Sequence, residues 1–322
     1  MVLAAVNTPL VKLVSISKHF GEGEARVDAL RNVSIKVYPG EVVALLGPSG
    51  SGKTTLLNVI GCILDPSAGS MELDGELVLD NGHWLRSNLR ELRLDKIGFI
   101  FQFHNLIPFL DATDNISLVL HMAGTDSRTA KKRAVELLDY LEVGHRKNAM
   151  PAQLSGGEAQ RVAIARALAL NPKFIVCDEP VSALDVSVQA QVINLMQDLQ
   201  KEFDVSFLFI AHDLSVVEHI SARIAVMYLG HIVEIGTSDQ VFFNPIHPYS
   251  RALLSAVPQA DPDSGRETRT VLQGDPPTPL NKPTGCPFRT RCPIARAECA
   301  EGFPVVEEKE PGHFVACPYV DA

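Results

Sequence analysis

The chain alternates short runs of apolar residues with longer stretches in which apolar residues recur every three or four positions. Short continuous apolar runs are typical of strands buried on both faces, and they predict strands at residues 41–46, 173–177 and 205–210. Because helical stretches lie between such runs, the pattern predicts an α/β fold with a parallel sheet covered by helices. Two of the amphipathic helices have as their apolar faces Ala130, Ala134, Leu137, Leu138 and Leu141, and Val188, Val192, Ile193, Met196 and Leu199.

The pattern changes toward the end of this alternating region. Two apolar runs, at residues 223–228 and 232–235, flank Leu229-Gly230-His231 and predict a β-hairpin. Prolines concentrate beyond it, since 13 of the 21 lie in residues 241–322. Prolines interrupt helices and sheets, so we predict a domain edge near residues 239–244 and a loop-rich C-terminal extension after it.

Composition narrows the class of protein. Of the 322 residues, 46% are hydrophobic and 21% are charged, a balance typical of globular proteins and not of disordered chains. The net charge of −9 disfavours a protein that coats nucleic acid, and we expect no nucleic-acid partner. No apolar run is long enough to span a membrane, and residues 1–11 lack the basic start of a secretion signal, so a cytoplasmic location is predicted. Six cysteines are too few for a disulfide scaffold.

A glycine-rich segment follows the first predicted strand and precedes a helical run at residues 55–63. It fits the pattern G-x-x-x-x-G-K-[ST], in which glycines let backbone N–H groups surround phosphate oxygens and the helix N-terminus favours an anion. The lysine brings positive charge to the β- and γ-phosphates, and the threonine hydroxyl can ligate Mg²⁺. A chance glycine-rich turn is the alternative, but the strand–loop–helix context favours phosphate binding. The residues are Gly47, Pro48, Ser49, Gly50, Ser51, Gly52, Lys53 and Thr54.

Two acidic residues, Asp178 and Glu179, follow directly on the second predicted strand. Uncompensated charge at the end of a buried strand is costly, and a divalent cation would compensate it. Asp178 can then hold Mg²⁺, and Glu179 can orient or deprotonate a water molecule that attacks a phosphate. Two ordinary acids at an exposed strand end are the alternative, which the phosphate-binding loop makes the weaker interpretation.

Four further motifs complete an ordered set. Ser155-Gly156-Gly157, at a predicted helix start, makes a second anion site from free N–H groups and a hydroxyl. With the loop and the acid pair, these motifs make the chain resemble the ATP-binding-cassette (ABC) ATPases over about residues 10–236. The matching segments are residues 47–54 (Walker A), Phe101-Gln102-Phe103 (Q-loop), residues 154–158 (signature), residues 174–179 (Walker B), Ser182-Ala183-Leu184-Asp185 (D-loop) and Ala211-His212-Asp213 (switch histidine).

The resemblance implies a P-loop NTPase fold with a parallel core sheet, an antiparallel β subdomain and a helical subdomain at about residues 103–152. These would form an ATP-binding domain at residues 10–240, followed by the extension at residues 241–322. ATP and Mg²⁺ are the implied cofactors, and ATP hydrolysis is the implied activity. Phe20 lies 33 residues before Lys53 and matches the aromatic residue that stacks on adenine.

Site residues are implied in three groups. The catalytic residues would be Glu179, His212 and Gln102. The Mg²⁺ ligands would be Thr54, Gln102 and Asp178. The nucleotide-binding residues would be Phe20, Gly47, Pro48, Ser49, Gly50, Ser51, Gly52, Lys53, Thr54, Thr55, Ser155, Gly156, Gly157 and Asp185.

A chain with two phosphate-binding elements far apart in sequence needs a way to use both. The family's answer is a head-to-tail dimer in which the signature segment of each subunit closes on the partner's nucleotide. The resemblance therefore implies a second ABC ATPase subunit as partner, in a homodimer or a heterodimer.

The transported class is indicated by two resemblances that differ. From about residue 171 onward the chain resembles the ATPases of dipeptide, oligopeptide and nickel importers, through residues 178–188, 212–217 and 244–249. Residues 103–110 resemble instead the ATPases of lipoprotein-release and macrolide-export systems. A natural mosaic of the two types would explain both resemblances. We predict the ATPase of a peptide importer, peripheral on the cytoplasmic face of the inner membrane, with transmembrane permease subunits and an extracytoplasmic solute-binding protein. An export ATPase and a soluble ABC ATPase not coupled to transport are the alternatives.

Four cysteines, Cys286, Cys292, Cys299 and Cys317, lie in the proline-rich extension. A segment with little apolar material gains stability from a crosslink or a metal, and four thiolates suit a [4Fe–4S] cluster or Zn²⁺. The spacing fits no common zinc pattern, but it resembles the tail of peptide-importer ATPases, some of which bind a [4Fe–4S] cluster. A cluster, zinc and four free thiols remain the alternatives.

Overall fold

The computed structural model describes residues 8–256 and 281–321, together with residues 272, 274, 277 and 278. The strands of these residues are β1 (Val11–Phe20), β2 (Val27–Val37), β3 (Val42–Leu46), β4 (Ala68–Leu73), β5 (Glu76–Asp80), β6 (His83–Trp84), β7 (Ile97–Ile100), β8 (Phe174–Asp178), β9 (Ser206–Ile210), β10 (Arg223–Tyr228), β11 (His231–Thr237), β12 (Glu307–Glu310) and β13 (His313–Val315). The α-helices are α1 (Lys53–Ile60), α2 (Leu89–Lys96), α3 (Ala112–Met122), α4 (Ser127–Tyr140), α5 (Gly156–Leu168), α6 (Val186–Phe203), α7 (Leu214–Ile220), α8 (Ser238–Phe243) and α9 (Pro248–Ser255). The three predicted strands are confirmed as β3, β8 and β9, the two predicted helices as α4 and α6, and the predicted hairpin as β10 and β11.

The central sheet has eight strands in the order β12-β13-β11-β10-β3-β9-β8-β7. Five of them, β10, β3, β9, β8 and β7, run parallel to one another. The carboxyl ends of parallel strands meet at one edge of a sheet, where ligands of α/β proteins bind. The glycine-rich loop follows β3, Asp178 ends β8, and His212 and Gln102 come after β9 and β7. This edge therefore carries most of the predicted chemistry.

Strand β3 is buried on both faces and divides two apolar cores. Val42, Ala44 and Leu46 pack into the core under the helices α3 to α6, whereas Val43 and Leu45 pack on the opposite side. That second core holds α1 and a five-stranded antiparallel sheet in the order β2-β1-β4-β5-β6. Full burial of a large aliphatic side chain contributes about 1.5–3 kcal/mol to the stability of the fold. The buried side chains of β3 therefore hold the start of the following loop in place.

Helices α3 and α4 lie within residues 103–152, where a helical subdomain was predicted, and the subdomain as a unit stays a prediction. Ala130, Ala134, Leu137 and Leu138 of α4 are buried, as the periodicity predicted. The segment that leads into α3 leaves two large side chains in solvent, since Phe103 is 70% exposed and Phe109 is 76% exposed. Apolar side chains at this exposure are available to a partner.

The C-terminal extension continues the central sheet. Strand β13 pairs antiparallel with β11, and β12 forms the outer edge. The fully buried Phe288 packs edge-on against Tyr228 of β10 and Tyr249 of α9, with ring centroids 5.5 and 5.4 Å apart. The extension is therefore packed on the rest of the molecule, although residues 281–306 carry no strand or α-helix. The domain edge predicted at 239–244 falls on α8, and the division at residue 240 stays a prediction.

No helix among the described residues is long and apolar enough to cross a membrane.

Candidate active site

The glycine-rich loop joins β3 to α1 in a backbone shape that only glycine adopts easily. Gly47 and Gly52 have φ angles of 148° and 100°. A Cβ atom on Gly47 would lie 2.3 Å from the carbonyl oxygen of Met227, and one on Gly52 would lie 2.5 Å from that of Ala29. The close approach of these two segments therefore requires glycine at both positions.

Lys53 begins α1 and reaches back over the loop. Its Nζ donates to the carbonyl oxygens of Gly47, at 2.7 Å, and of Pro48, at 3.0 Å. Burial lowers the pKa of Lys53, and the charges of Glu179 and Asp178 oppose this shift. The Ser51 hydroxyl is also buried and pairs with no group of the described residues. A buried ammonium and a buried hydroxyl on this loop fit a phosphate, which accepts hydrogen bonds and carries negative charge.

A cleft of about 290 Å³ opens over this loop. Phe20, 44% exposed, ends β1 directly across from Val27 of β2, which is part of the cleft wall. The predicted aromatic residue thus lies beside the cleft. The lining consists of Val27, Asp28, Ala29, Ser49, Gly50, Ser51, Gly52, Lys53, Thr54, Thr55, Glu179 and His212.

Two carboxyl groups at the end of β8 face the loop. Burial raises the pKa of Asp178, the neighbouring charge of Glu179 raises it further, and Lys53 and a hydrogen bond from Thr54 lower it. Glu179 holds an unusual φ of 50°, and its N–H donates to the carbonyl of Ile210 at 3.0 Å. The two adjacent carboxylates carry like charges that repel each other. A cation between them and the phosphates would relieve this repulsion.

His212 follows β9 and completes the cluster. Its Nε2 lies 2.7 Å from Oε1 of Glu179, so it can orient that carboxylate and hold a proton next to the phosphate loop. The imidazole is 56% exposed, whereas Glu179 is 16% exposed. The acid is thus fixed inside the cleft and the histidine sits at its mouth.

Nine of the residues predicted for the nucleotide site are not among those that line this cleft. Phe20, Gly47, Pro48 and Asp178 belong to the segments described above, and the other five lie elsewhere among the described residues. Gln102 is exposed beyond the end of β7, beside β8. Ser155 caps α5, and its hydroxyl accepts from the N–H of Glu158 at 3.3 Å. Asp185 caps α6 and accepts from the N–H of Val188 at 3.0 Å. The other two are Gly156 and Gly157 at the start of α5.

The starts of α5 and α6 pack on each other. A Cβ atom on Gly156 would lie 3.2 Å from Leu184, and one on Gly157 would lie 2.8 Å from Val188. Ser155, Gly156 and Asp185 are exposed, and none of them lines the cleft over the phosphate loop. The described chain therefore presents the second predicted anion site at its surface, outside the lining of the cleft.

An apolar groove of about 350 Å³ lies between α2, α3, β7 and α5. Its floor includes Phe99, Phe101 and Val119, and arginines stand among the lining residues. One of them, Arg166, donates to the carbonyls of His104 and Asn105 at 2.7 Å and so ties α5 to the segment after Gln102. The groove is therefore linked to the end of β7 that precedes Gln102.

All four cysteines of the extension line one cavity of about 130 Å³. Each sulfur receives a backbone N–H, from Phe288, Ile294, Arg296 and Tyr319 respectively for Cys286, Cys292, Cys299 and Cys317. Burial raises the pKa of the Cys286 thiol to about 11, and the neighbouring thiols add to this shift. Within the residues that the structure describes, no group of three or more His, Cys, Asp or Glu side chains has the arrangement to hold a metal ion.

Residues of the cleft wall that the sequence analysis missed are Val27, Asp28 and Ala29. They lie at the start of β2, between Phe20 and the loop in sequence. The only available signal was their place shortly after Phe20, and this is too weak to identify them without the fold.

Family models match two parts of the chain. Residues 30–182 match the model described as ABC transporter. Residues 233–299 match the model described as the C-terminal region of oligopeptide/dipeptide transporters. The two models thus cover both the phosphate loop and the first three cysteines of the extension.

Relatives at the level of sequence extend over nearly the whole chain. A putative peptide import ATP-binding protein of Brucella ovis is 44% identical over 97% of this chain and 98% of its own length. The oligopeptide transport ATP-binding protein OppF of Salmonella typhimurium is 43% identical over 97% of this chain and 96% of its own. OppF of Escherichia coli is 43% identical over 94% and 91%.

Solved structures with the same fold cover the first part of the chain. The ATP-binding cassette MJ0796, in a dimeric post-hydrolysis state bound to ADP and Pi, matches with a TM-score of 0.64 and 38% identity over 71% of this chain and 98% of that one. The cbiO1 protein of Clostridium perfringens, part of an ABC transporter complex, matches with a TM-score of 0.66 and 27% identity over 73% and 91%. The predicted fold class is thereby confirmed.

Proposed function

The chain belongs to the ATP-binding subunits of ABC transporters, and we propose that it hydrolyses ATP to drive the import of peptides across a membrane. The observation that carries the proposal is one cleft in which the phosphate loop, Lys53, Glu179 and His212 meet. Peptide import is supported by relatives so named that cover 97% of the chain. Residues 103–110 had suggested an exporter.

In the mechanism that we propose, the loop N–H groups and Lys53 bind the β- and γ-phosphates of ATP. Thr54, Asp178 and Gln102 would hold Mg²⁺, which would supply positive charge to neutralise the phosphates while the γ-phosphoryl group passes to water and ADP leaves. Glu179 orients the attacking water and accepts its proton. His212 fixes Glu179 and can donate to a γ-phosphate oxygen.

The site is completed by a second ATPase subunit. Ser155, Gly156 and Asp185 are exposed on this chain and Gly157 is partly exposed, so a partner's nucleotide can contact them. A two-fold arrangement would bring the signature of each subunit onto the other's ATP. The dimeric state of the solved relative supports this arrangement, and both sets of motifs are intact here, as a homodimer requires. A heterodimer with a second peptide-import ATPase is the alternative.

The groove between α2, α3, β7 and α5 is the proposed docking site for a permease subunit. Its apolar floor fits the apolar face of a short permease helix, and Arg90, Arg93 and Arg166 in its lining favour an acidic residue on that helix. Docking there places the chain on the cytoplasmic face of the membrane as a peripheral subunit. An extracytoplasmic solute-binding protein would deliver the peptide.

For the extension we propose a [4Fe–4S] cluster held by Cys286, Cys292, Cys299 and Cys317, although these side chains do not have the arrangement of a metal site in the described structure. Its support is that four thiols line one cavity and each receives an N–H, which stabilises a thiolate ligand. Iron and acid-labile sulfide in about fourfold excess over protein are expected after anaerobic purification. One equivalent of zinc instead would favour the alternative metal, and absence of both would leave four free thiols.

The transport proposal is tested in cells that depend on an imported peptide. Glu179→Gln should abolish uptake, because the water loses its base, while Glu136→Gln on the exposed face of α4 should leave uptake unchanged. Co-purification identifies the partner: permease subunits without a large extracytoplasmic domain indicate an importer. An export permease with such a domain, or uptake that persists in Glu179→Gln, would contradict the proposal.

A further inference from the structure

Lys282, in the C-terminal extension, reaches the wall of the nucleotide cleft. Its Nζ donates to the carbonyl oxygen of Leu229 at 2.9 Å and to that of Asp28. Leu229 lies in the turn between β10 and β11, and Asp28 lies on β2. One ammonium group therefore joins two segments that are distant in sequence.

Both of these segments touch the phosphate loop. Asp28 is part of the cleft wall, and the carbonyl of its neighbour Ala29 lies against Gly52 of the loop. Beside Leu229, the N–H of Gly230 donates to the carbonyl of Ser51 at 2.8 Å. Each of the two residues whose carbonyl Lys282 contacts is therefore the chain neighbour of a residue that contacts the phosphate loop.

A second contact anchors the extension at the same turn. The ring of Phe303 stacks on His231, with centroids 3.9 Å apart and an angle of 17° between the planes. His231 is the residue after Gly230. The extension therefore contacts this turn through a stacked ring and a charged hydrogen bond.

The charge of Lys282 is received by backbone carbonyls and not by an acid. In the part of the chain that the structure covers, Lys282 has no carboxylate within ion-pair distance. The nearby Asp28 carboxylate is bonded to Arg26 at 2.9 Å and to Arg31 at 2.8 Å. Burial lowers the pKa of Lys282 to about 8, Arg31 lowers it further and Asp28 opposes the shift. A half-buried cation behind the wall also favours a polyanion in the cleft.

We propose that Lys282 is a positioning residue for nucleotide binding, through which the docked extension raises the affinity of the cleft for ATP. The inference rests on the proposed ATP site. Lys282 holds the strand and the turn that flank the loop, so the wall is ordered before the nucleotide arrives. By linkage, a bound nucleotide must strengthen the docking of the extension by the same factor.

The test compares Lys282→Met with Lys309→Met, a second partly buried lysine of the extension that pairs with Glu307 at 3.0 Å, far from the cleft lining. The dissociation constant of a fluorescent ATP analogue should rise about tenfold in Lys282→Met, since two charged hydrogen bonds to the wall are lost. Turnover at saturating ATP should stay close to that of the unaltered protein. Lys282→Arg, which can still donate to both carbonyls, should recover most of the affinity.

Equal affinity in Lys282→Met and Lys309→Met would overturn the inference while leaving the ATP site intact. Failure of the unaltered protein to bind the analogue would instead refute the proposed function.

A measurement on the unaltered protein decides the question if Lys282→Met does not fold. Acetic anhydride acylates lysines, and mass spectrometry reports the rate for each one. A nonhydrolysable ATP analogue should slow acylation of Lys282 several-fold, about as much as it strengthens docking, and leave Lys309 unchanged. The same rate at Lys282 with and without the analogue would contradict the coupling.

Discussion

At the scale of single residues, the phosphate-binding site could be predicted from the sequence. It combines residue types that rarely occur together for any other reason. Glycines at 47 and 52 are required by φ and by close backbone contacts. Lys53, Asp178 and Glu179 were recognised from spacing alone, and the structure brings them to one cleft edge. The sequence did not predict that residues 27–29 form the cleft wall or that Lys282 contacts it. These roles depend on contacts of backbone carbonyl groups, which every residue has.

Gly52→Ala tests the loop geometry. The added Cβ would meet the Ala29 carbonyl at 2.5 Å in a backbone region that side chains disfavour, so we expect a loss of about 3 kcal/mol in the free energy of unfolding. Gly124→Ala is the matched control, because Gly124 has a φ of 88° but open space around its Cβ position. It should cost only about 1 kcal/mol. Urea denaturation measures both, and equal losses would show that the contact at Gly52 is unimportant.

At the scale of elements, the apolar pattern predicted strands and helices where burial is complete. Strands β3, β8 and β9 are apolar apart from Asp178 and Ser206 at strand ends, because both of their faces are covered, and α4 and α6 show one apolar face. Strands β12 and β13 were missed. The first reads Glu-Glu-Lys-Glu, which has no apolar alternation, because an edge strand can keep polar side chains in water. Such strands are specified by the partner that they pair with, and a single sequence does not show that partner.

The cap of α5 has two roles that can be separated. Ser155→Ala removes the hydroxyl that accepts from Glu158, which should lower the free energy of unfolding by about 1 kcal/mol. Asp126→Ala removes a similar cap from α4 and should cost about as much. Only Ser155→Ala should also slow ATP hydrolysis, because Ser155 would contact the partner's nucleotide. Steady-state turnover measured beside unfolding tests this, and equal turnover in both variants would argue against the signature contact.

At the scale of the whole molecule, the extension and the ATPase core form one packed structure. Phe288 lies among Tyr228 and Tyr249, and β13 extends the central sheet. The prolines of the sequence predicted a loop-rich C-terminal extension, and residues 281–306 carry no strand or α-helix. The sequence did not predict the packing, because the contacts join residues some 50 to 250 positions apart, such as Lys282 with Leu229 and Asp28.

Two buried histidines at this junction make stability depend on pH. Burial lowers the pKa of His231 to about 3 and that of His247 to about 4, whereas both would be near 6.5 in the unfolded chain. His247 also accepts a hydrogen bond from the N–H of Tyr249, which only the neutral ring can do. The unfolded state therefore binds more protons below pH 6.5. Stability is full above that pH and falls as pH drops toward 4, by about 1.4 kcal/mol per unit for each histidine.

Urea denaturation between pH 8 and pH 4 measures this loss. His231→Phe keeps a ring for Phe303 to stack on but removes the group that takes up a proton on unfolding. The free energy of unfolding of this variant should therefore fall less steeply as the pH drops. His83→Gln, at an exposed position on β6, should follow the unaltered protein. The same slope in all three proteins would show that His231 is not protonated on unfolding.

The central claim is that the loop ending in Lys53 binds the phosphates of ATP for hydrolysis. The most direct measurement is phosphate release by the purified protein with ATP and Mg²⁺, compared with Lys53→Ala and with Lys131→Ala on the exposed surface of α4. We expect release by the unaltered protein and by Lys131→Ala, and a loss of about a hundredfold or more in Lys53→Ala, because an essential charge on the transferred phosphate is removed. Undiminished phosphate release by Lys53→Ala would contradict the account.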